Sequence, residues 1–207
     1  PEEYANCEVK LITTSGWDLT NPVKVGVTTE VAGTEYSFLG LGSDDNPYAG
    51  TFGLDSKTAA TQYSISTTRP LFNALSVKAT FNNTIPFSIA ESTKEPLLAK
   101  TLKVAGSGDG TEGNSALKCD IELRNSNTVT DAAIGGLIGT MEGKTRADIT
   151  FTNQLTNELK ISGTDHVGLF CNTMNEGSSL TATLKNGAGK ISVAATESGK
   201  DAGGFVG

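Results

Sequence analysis

A short apolar phrase led by glycine recurs down the second half of the chain. It reads Gly-Leu-Ile-Gly at residues 136–139, Gly-Leu-Phe-Cys at 168–171 and Gly-Phe-Val-Gly at 204–207, at intervals of 32 and 36 residues. Recurrence with a period of roughly 20–50 residues is typical of repeat proteins, because one unit cannot bury its apolar face alone and stacked units share a core. We therefore expect a solenoid.

Two looser copies extend the series upstream, at residues 70–73 (Pro-Leu-Phe-Asn) and 96–99 (Pro-Leu-Leu-Ala). The spacing between copies is uneven, but the free energy of closing a surface loop grows slowly with loop length, so insertions at corners leave a stack intact. We predict that the second phrase position forms a ladder inside the solenoid. Its members are Leu71, Leu97, Leu137, Leu169 and Phe205.

The two best repeats each divide into three extended pieces. After the glycine phrase come residues 147–151 and 180–184, in which apolar and polar side chains alternate as in a half-buried strand. Residues 159–161 and 191–193 form the third pieces, and the Asn and Gly residues between pieces tolerate positive φ at tight corners. Three strands and three corners make one coil of a parallel β-helix.

The same scheme assigns residues 77–81 and 117–123 to the second strands of two earlier coils. We therefore predict an all-β chain that folds as a right-handed parallel β-helix of about three to five coils, in one elongated domain. Residues 46–207 would form the coils, and residues 1–45 an N-terminal cap with the first strands, because an uncovered first coil leaves unpaired strand edges. The repeat that opens at residues 204–207 predicts further coils in the native protein.

Charge and composition argue against several classes of partner. The net charge is −7, and the 16 Lys and Arg residues are scattered, without the clusters that neutralise nucleic-acid phosphates. The longest apolar stretch, residues 132–139, is much shorter than the roughly 18 residues of a membrane span. We expect neither a nucleic-acid partner nor membrane insertion. Three cysteines are too few for a disulfide framework, and their pairing stays open.

Two phrases resemble a known family. Residues 39–54 (LGLGSDDNPYAGTFGL) precede residues 70–75 (PLFNAL), and Gly-Gly-Leu-Ile-Gly and Gly-Gly-Phe-Val-Gly follow at 135–139 and 203–207. This order resembles bacterial cell-surface proteins that carry GLUG-type repeats. The chain departs from that pattern at residues 53–56, where the family commonly has an Asp-Gly-x-Gly turn. It also departs at Pro70, Pro96 and Cys171, each of which replaces a repeat glycine.

The resemblance implies an extracellular protein, secreted or anchored at the bacterial cell surface, whose repeats present binding surfaces or act as a stalk. We accordingly expect a non-enzymatic adhesin, binding module or spacer, with an extracellular glycan or protein as its partner. Two alternatives stay open. One is a carbohydrate-active β-helix enzyme, a polysaccharide lyase or hydrolase whose acids lie partly outside this chain. The other is a surface protein that binds host immunoglobulin or glycoprotein.

No catalytic, cofactor or metal site is predicted from the residues. Lyases and hydrolases on this fold need clustered acids with a base, or two carboxylates flanking one bond, and no such cluster is apparent. Asp44 and Asp45 are typical of a turn before Pro47, and His166 is the one histidine, at a corner after Asp165. We expect His166 to be a solvated corner residue.

The candidate ligand contacts are Trp17, Asp109, Glu112 and Asn114. Trp17 is the single tryptophan and could form a platform for a sugar, or pack within the cap. The other three lie in the glycine-rich residues 106–114, where oxygen ligands on a pliable backbone are what calcium takes, although the spacing matches neither an EF-hand nor the nonapeptide calcium repeat. We expect a ligand to contact the side faces of the solenoid or this segment.

Overall fold

Parallel strands stacked on three faces build the molecule. The computed structural model describes residues 7–11, 23–25, 28–31, 34–37, 40–54, 64–89, 92–104, 116–124, 132–187, 189–197 and 200–207. Within these ranges the chain forms strands and no helix, and its parallel sheets stack as a β-solenoid of about four coils. The predicted all-β parallel β-helix is therefore confirmed, and its right-handedness stays a prediction.

Each face is one sheet whose strands come from successive coils. The first face holds β7 (Phe72–Ser76), β10 (Ala99–Lys103), β13 (Ile138–Met141) and β16 (Cys171–Met174). The second face holds β2 (Val23–Val25), β6 (Ile65–Thr67), β9 (Ile85–Ser88), β11 (Leu117–Arg124), β14 (Arg146–Asn153) and β17 (Ser179–Asn186). The third face holds β12 (Ala132–Ile134), β15 (Leu159–Gly163) and β18 (Ile191–Ala195).

The remaining strands lie toward the N-terminal end. The strands β1 (Val9–Leu11), β5 (Thr51–Leu54) and β8 (Thr80–Phe81) form a further parallel sheet, and β3 (Thr28–Val31) pairs with β4 (Thr34–Ser37) as an antiparallel hairpin. Within residues 1–45, β1 and β2 therefore extend the parallel pairing of the coils, to β5 and β6 respectively. The boundary of the cap at residue 45 stays a prediction.

Alternation along each strand separates the core from the surface. In β14, Ala147, Ile149 and Phe151 are buried, while the intervening side chains are partly exposed. The register is continuous over β11, β14 and β17, as in Leu117, Ala147 and Leu180. The inward side chains of β11 are likewise buried, and those of β17 are partly buried and pack against the core. Apolar side chains therefore form rows through one shared interior.

Four members of the predicted ladder lie in this interior. Leu71, Leu97, Leu137 and Leu169 are each at most 2% exposed. Phe205 is 49% exposed, so its predicted burial is wrong. Its ring stacks on that of Phe170, with the two centroids 5.3 Å apart.

The strand register also differs from the spacing of the glycine phrases. Ile138 pairs with Cys171, and Cys171 with Val206, so the partners are 33 and 35 residues apart rather than 32 and 36. At the corner between Cys171 and Val206, one residue is left out of the regular pairing, because the amides of Phe170 and Cys171 both donate to the Phe205 carbonyl. Leu137 consequently lies beside Phe170 in register rather than beside Leu169.

Asparagine stabilises a corner through its side chain. Asn153 and Asn186 are paired at the ends of β14 and β17, and the Asn153 amide nitrogen donates to the Asn186 side-chain oxygen at 2.8 Å. The Asn153 oxygen in turn accepts the Leu155 amide. Among the described residues, Lys144 is the one non-glycine with positive φ, so the predicted reason for asparagine at these corners is wrong.

The three cysteines are free thiols. Cys119 and Cys171 are buried and Cys7 is partly buried, so the structure contains no disulfide among them. Burial raises the pKa of Cys171 to about 11 and also raises that of Cys119, so both thiols are neutral near pH 7. Among the described residues, no helix has the length and hydropathy needed to cross a bilayer.

Candidate functional site

One coil leaves the regular stack and opens a groove on the second face. The amide of Val77 still donates to the Lys103 carbonyl of the next coil at 2.9 Å, and a turn closed by the Ala79 amide on the Ser76 carbonyl follows. Then β8 pairs with β5 of the preceding coil rather than with β11. The chain meets the next coil again at Ile85, which pairs with Ile121.

This arrangement overturns one assignment made from the sequence. The repeat pattern predicts that residues 77–81 stack beside residues 117–123 as second strands, but the strand beside β11 is β9. The first half of β11, Leu117 to Asp120, pairs with β14 on one side and with no strand on the other within the described residues. A groove therefore lies between β8 and the first half of β11.

We call this feature the β8–β11 groove. Two adjoining cavities of about 430 and 480 Å³ form it, and Phe81 and Lys118 line both. Each volume falls within the roughly 300–1,000 Å³ typical of ligand clefts. Its lining residues are Val77, Lys78, Ala79, Thr80, Phe81, Asn82, Asn83, Thr84, Ala116, Lys118, Cys119, Asp120, Asp148 and Thr150.

The wall formed by residues 80–84 is fastened to the preceding coil. The Thr80 amide donates to the Gly50 carbonyl at 3.0 Å, and the Asn82 amide donates to the Phe52 carbonyl at 3.1 Å. A Cβ atom on Gly53 would stand 3.0 Å from the Asn82 Cβ, so glycine lets this wall approach β5 closely. These contacts hold the wall away from β11 and keep the groove open.

Phe81 forms a fixed aromatic surface at the middle of the groove. It is partly buried, and its ring packs edge-on against Phe72 at 5.8 Å and tilted against Phe52 at 6.2 Å. Phe52 and Phe72 are themselves fully buried, with their centroids 5.3 Å apart. The ring of Phe81 is therefore positioned by the core before any ligand binds.

The floor of the groove consists of polar side chains on β11 and β14. Leu117 and Cys119 face the core, and Lys118 and Asp120, which alternate with them along β11, project outward. The parallel register places Asp148 beside Lys118 and Thr150 beside Asp120. Within the described residues, the side chains of Lys118, Asp120 and Asp148 form no ion pair or hydrogen bond.

The lining carries balanced charge and several planar polar groups. Lys78 and Lys118 contribute two positive charges, and Asp120 and Asp148 two negative charges. Amides and hydroxyls from Asn82, Asn83, Thr84 and Thr150 complete the polar set. Such a surface can exchange many neutral hydrogen bonds with a ligand that has several hydroxyl groups.

The ligand contacts proposed from the sequence, Trp17, Asp109, Glu112 and Asn114, lie outside the described residues. Their involvement stays a prediction. Within the described ranges, no cluster of three or more His, Cys, Asp or Glu side chains is placed to hold a metal ion.

His166 lies at a corner, as the sequence indicates, and its side chain is 46% exposed. Its Nδ1 is 3.3 Å from an Asp201 carboxylate oxygen, and its Nε2 is 3.7 Å from one of Asp165. Asp165 also pairs with Lys200 at 3.2 Å. A cleft of about 310 Å³ adjoins this cluster, on the corner between the third and first faces.

The repeat pattern does not predict the groove, because the two sides of the groove come from different coils. The sequence nevertheless contains one indication of the groove. Residues 77–81 and 85–88 are two strand-like segments on a side of the coil that in a regular coil has a single strand. The pair Asn82-Asn83 between them marks a corner inside what the repeat pattern treats as a single side. Comparison with family models, curated proteins and solved structures finds no match to this chain.

Proposed function

We propose that this chain is a non-enzymatic binding module that holds a neutral extracellular glycan in the β8–β11 groove. The observation that carries the proposal is the groove itself, which combines a core-positioned aromatic ring with outward amides, carboxylates and hydroxyls. Preorganised polar groups around an apolar surface give both orientation and affinity, because little side-chain entropy is lost on binding.

The carboxylates of the groove lie together on its floor. Asp120 and Asp148 stand on adjacent strands of the floor, and the opposite wall contributes Asn82, Asn83 and Thr84. In this groove the two carboxylates would accept hydrogen bonds from the hydroxyl groups of a ligand.

The setting we propose follows the resemblance to GLUG-type repeat proteins. A secreted or surface-anchored bacterial protein meets glycans outside the cell, and a solenoid that carries such a groove can act as adhesin, binding module or spacer. A glycoprotein partner, including host immunoglobulin, would be recognised through its sugars at the same groove.

A titration with neutral oligosaccharides tests the proposal. We expect binding by isothermal titration calorimetry, and a loss of at least about tenfold in affinity when Asp120 and Asp148 are both changed to Ala, because each removes charge-assisted hydrogen bonds. Thr183→Ala on β17 is the matched control, since Thr183 is exposed on the same face but outside the groove. Equal binding by both variants, or none by the unaltered chain, would contradict the proposal.

A further inference from the structure

The first half of β11 presents main-chain groups as well as side chains to the β8–β11 groove. The Gln154 amide donates to the Leu123 carbonyl at 2.9 Å, so the main chain of Leu123 points toward β14. Along a strand, the N–H and C=O groups of successive residues point to opposite sides, and the register of β11 with β14 is continuous. The N–H and C=O groups of Lys118, Asp120 and Glu122 therefore point away from β14, to the side on which the groove lies.

Two of these three residues have no strand beside them. Glu122 is paired with Pro86 of β9, and the pairing of β11 with β9 begins one residue earlier, at Ile121. Lys118 and Asp120 come before this point, and within the described residues no strand pairs with them on that side. Their N–H and C=O groups form an unpaired strand edge, which is a row of two donors and two acceptors along the groove.

The opposite wall presents a second strand edge. Thr80 and Asn82 both donate their amides to the preceding coil, so the main chain of Phe81, between them, points the other way, toward β11. Cα atoms of β8 and β11 approach within 8 Å of each other, yet the two strands are not paired. Neighbouring strands lie about 4.8 Å apart, so a strand inserted between two others needs about twice that distance. The gap is therefore too narrow for a peptide strand, whereas single hydroxyl groups can enter it.

Resting on the function proposed above, we infer that the main chain of the groove recognises adjacent free hydroxyl groups of a neutral sugar. Hydroxyl groups that enter the gap would accept from the N–H groups of Lys118 and Asp120 and donate to the C=O groups beside them. A hydroxyl group both donates and accepts, which matches an edge on which donors and acceptors alternate. Because two successive residues of this edge are unpaired, a sugar with at least two neighbouring unsubstituted hydroxyl groups fits it best.

Amide hydrogen exchange on the full chain, followed residue by residue by NMR, tests the strand edge itself. We expect the amides of Lys118 and Asp120 to exchange at least about tenfold faster than those of Cys119 and Glu122. Cys119 points toward β14, and Glu122 has the orientation of Asp120 but is covered by β9. Equal protection of all four amides would show that this edge is paired, and would overturn the inference.

Calorimetry with a blocked sugar tests the recognition of hydroxyl groups. It compares cellotriose, maltotriose and mannotriose, and then the fully O-methylated derivative of the one that binds most tightly. We expect the methylated sugar to bind at least about tenfold more weakly, because its oxygens can no longer donate hydrogen bonds. The unmodified sugar should slow the exchange of the Lys118 and Asp120 amides and leave that of Glu122 unchanged.

A pair of variants separates the main chain from the side chain at one position. Lys118→Ala removes the side chain and keeps the N–H group, whereas Lys118→Pro removes both. Because this N–H group points away from β14, proline breaks no hydrogen bond of that ladder, as on an edge strand. We expect Lys118→Pro to bind the sugar about fivefold more weakly than Lys118→Ala, through loss of one hydrogen bond. If Lys118→Pro does not fold, the exchange measurements still decide the question.

The outcomes separate this inference from the proposed function. A trisaccharide that binds without slowing exchange at Lys118 and Asp120, or that binds equally well when methylated, would overturn main-chain recognition and leave the glycan groove standing. Equal affinities of Lys118→Ala and Lys118→Pro would do the same. If none of the three trisaccharides binds, both the inference and the proposed function are contradicted.

Discussion

Tyr48 shows how one residue joins distant parts of the chain. Its side chain is 1% exposed, and its hydroxyl lies 2.8 Å from the carbonyl oxygens of both Cys7 and Thr51. Its ring packs on Phe72 at 5.3 Å, within the aromatic cluster that supports Phe81. Burial raises the pKa of Tyr48 to about 12 from its ordinary value of 10.0.

A raised pKa on an acid makes the fold sensitive to alkali. The neutral phenol is favoured in the folded state, so its contribution is fully present below pH 10 and is lost as the pH rises toward 12. We expect Tyr48→Phe to be about 1 kcal/mol less stable than the unaltered chain at pH 8, through loss of its hydrogen bonds. The difference should shrink or reverse near pH 12.

Urea unfolding at pH 8, 10 and 11.5 measures this difference directly. Comparison of the two proteins at each pH cancels the titration of the other tyrosines and of the lysines. A difference in unfolding free energy that stays constant from pH 8 to 11.5 would show that Tyr48 ionises as freely in the folded chain as in the unfolded one.

At the scale of elements, Lys103 ties the end of β10 to two other coils. Its Nζ lies 3.2 Å from an Asp44 carboxylate oxygen and 3.1 Å from one of Glu142, and it also donates to the Asp44 carbonyl. Burial alone would lower the pKa of Lys103, but hydrogen bonds to Glu142 and Asp44 outweigh it, so the pKa is raised. Asp44 itself stands in a Ser43–Asn46 turn, as the sequence predicts.

Replacing Lys103 should therefore loosen the contact between coils. We expect Lys103→Met to lower the free energy of unfolding by about 1 kcal/mol in dilute buffer, and by less in 1 M salt, because salt screens the partly exposed pairs. Lys100→Met is the matched control, since Lys100 is exposed on the same strand and forms no ion pair within the described residues. Equal losses for both variants would assign no role to the ion pairs.

At the scale of the whole molecule, stability comes from coils stacked along one axis. Leu169 lies in this stack, 2% exposed, with its carbonyl accepting from Leu137 and its amide donating to Gly204. An aspartate at this position would bury a carboxylate without a partner. We expect Leu169→Asp to cost about 3 kcal/mol or more.

Thermal and urea unfolding of Leu169→Asp beside Thr183→Asp check this expectation. Thr183 projects outward from β17, so its substitution adds the same charge at an exposed position. An unchanged melting temperature for Leu169→Asp would place this side chain outside the core. A large loss for both variants would indicate a general sensitivity of the last coil to charge.

The class of fold and most of the core can be predicted from the order of the residues alone. Glycine phrases and period-two alternation identify β13, β14 and β15 and their partners in the next coil, because a repeated apolar row must be buried against its copy. The alternation also predicts which side of each strand faces inward. The unequal spacing of the copies does not affect this prediction, because the extra residues lie in the corners and leave the strands stacked.

Which strands are neighbours, and where a groove opens, depends on contacts between distant parts of the chain. Residues 77–81 fit the repeat pattern, but Phe81 packs on Phe52 and Phe72 and takes β8 toward β5, away from β11. A local pattern specifies a strand's buried face, whereas its hydrogen-bonded neighbour depends on side chains from other coils. The groove is the consequence of that choice, and no single segment of the sequence contains it.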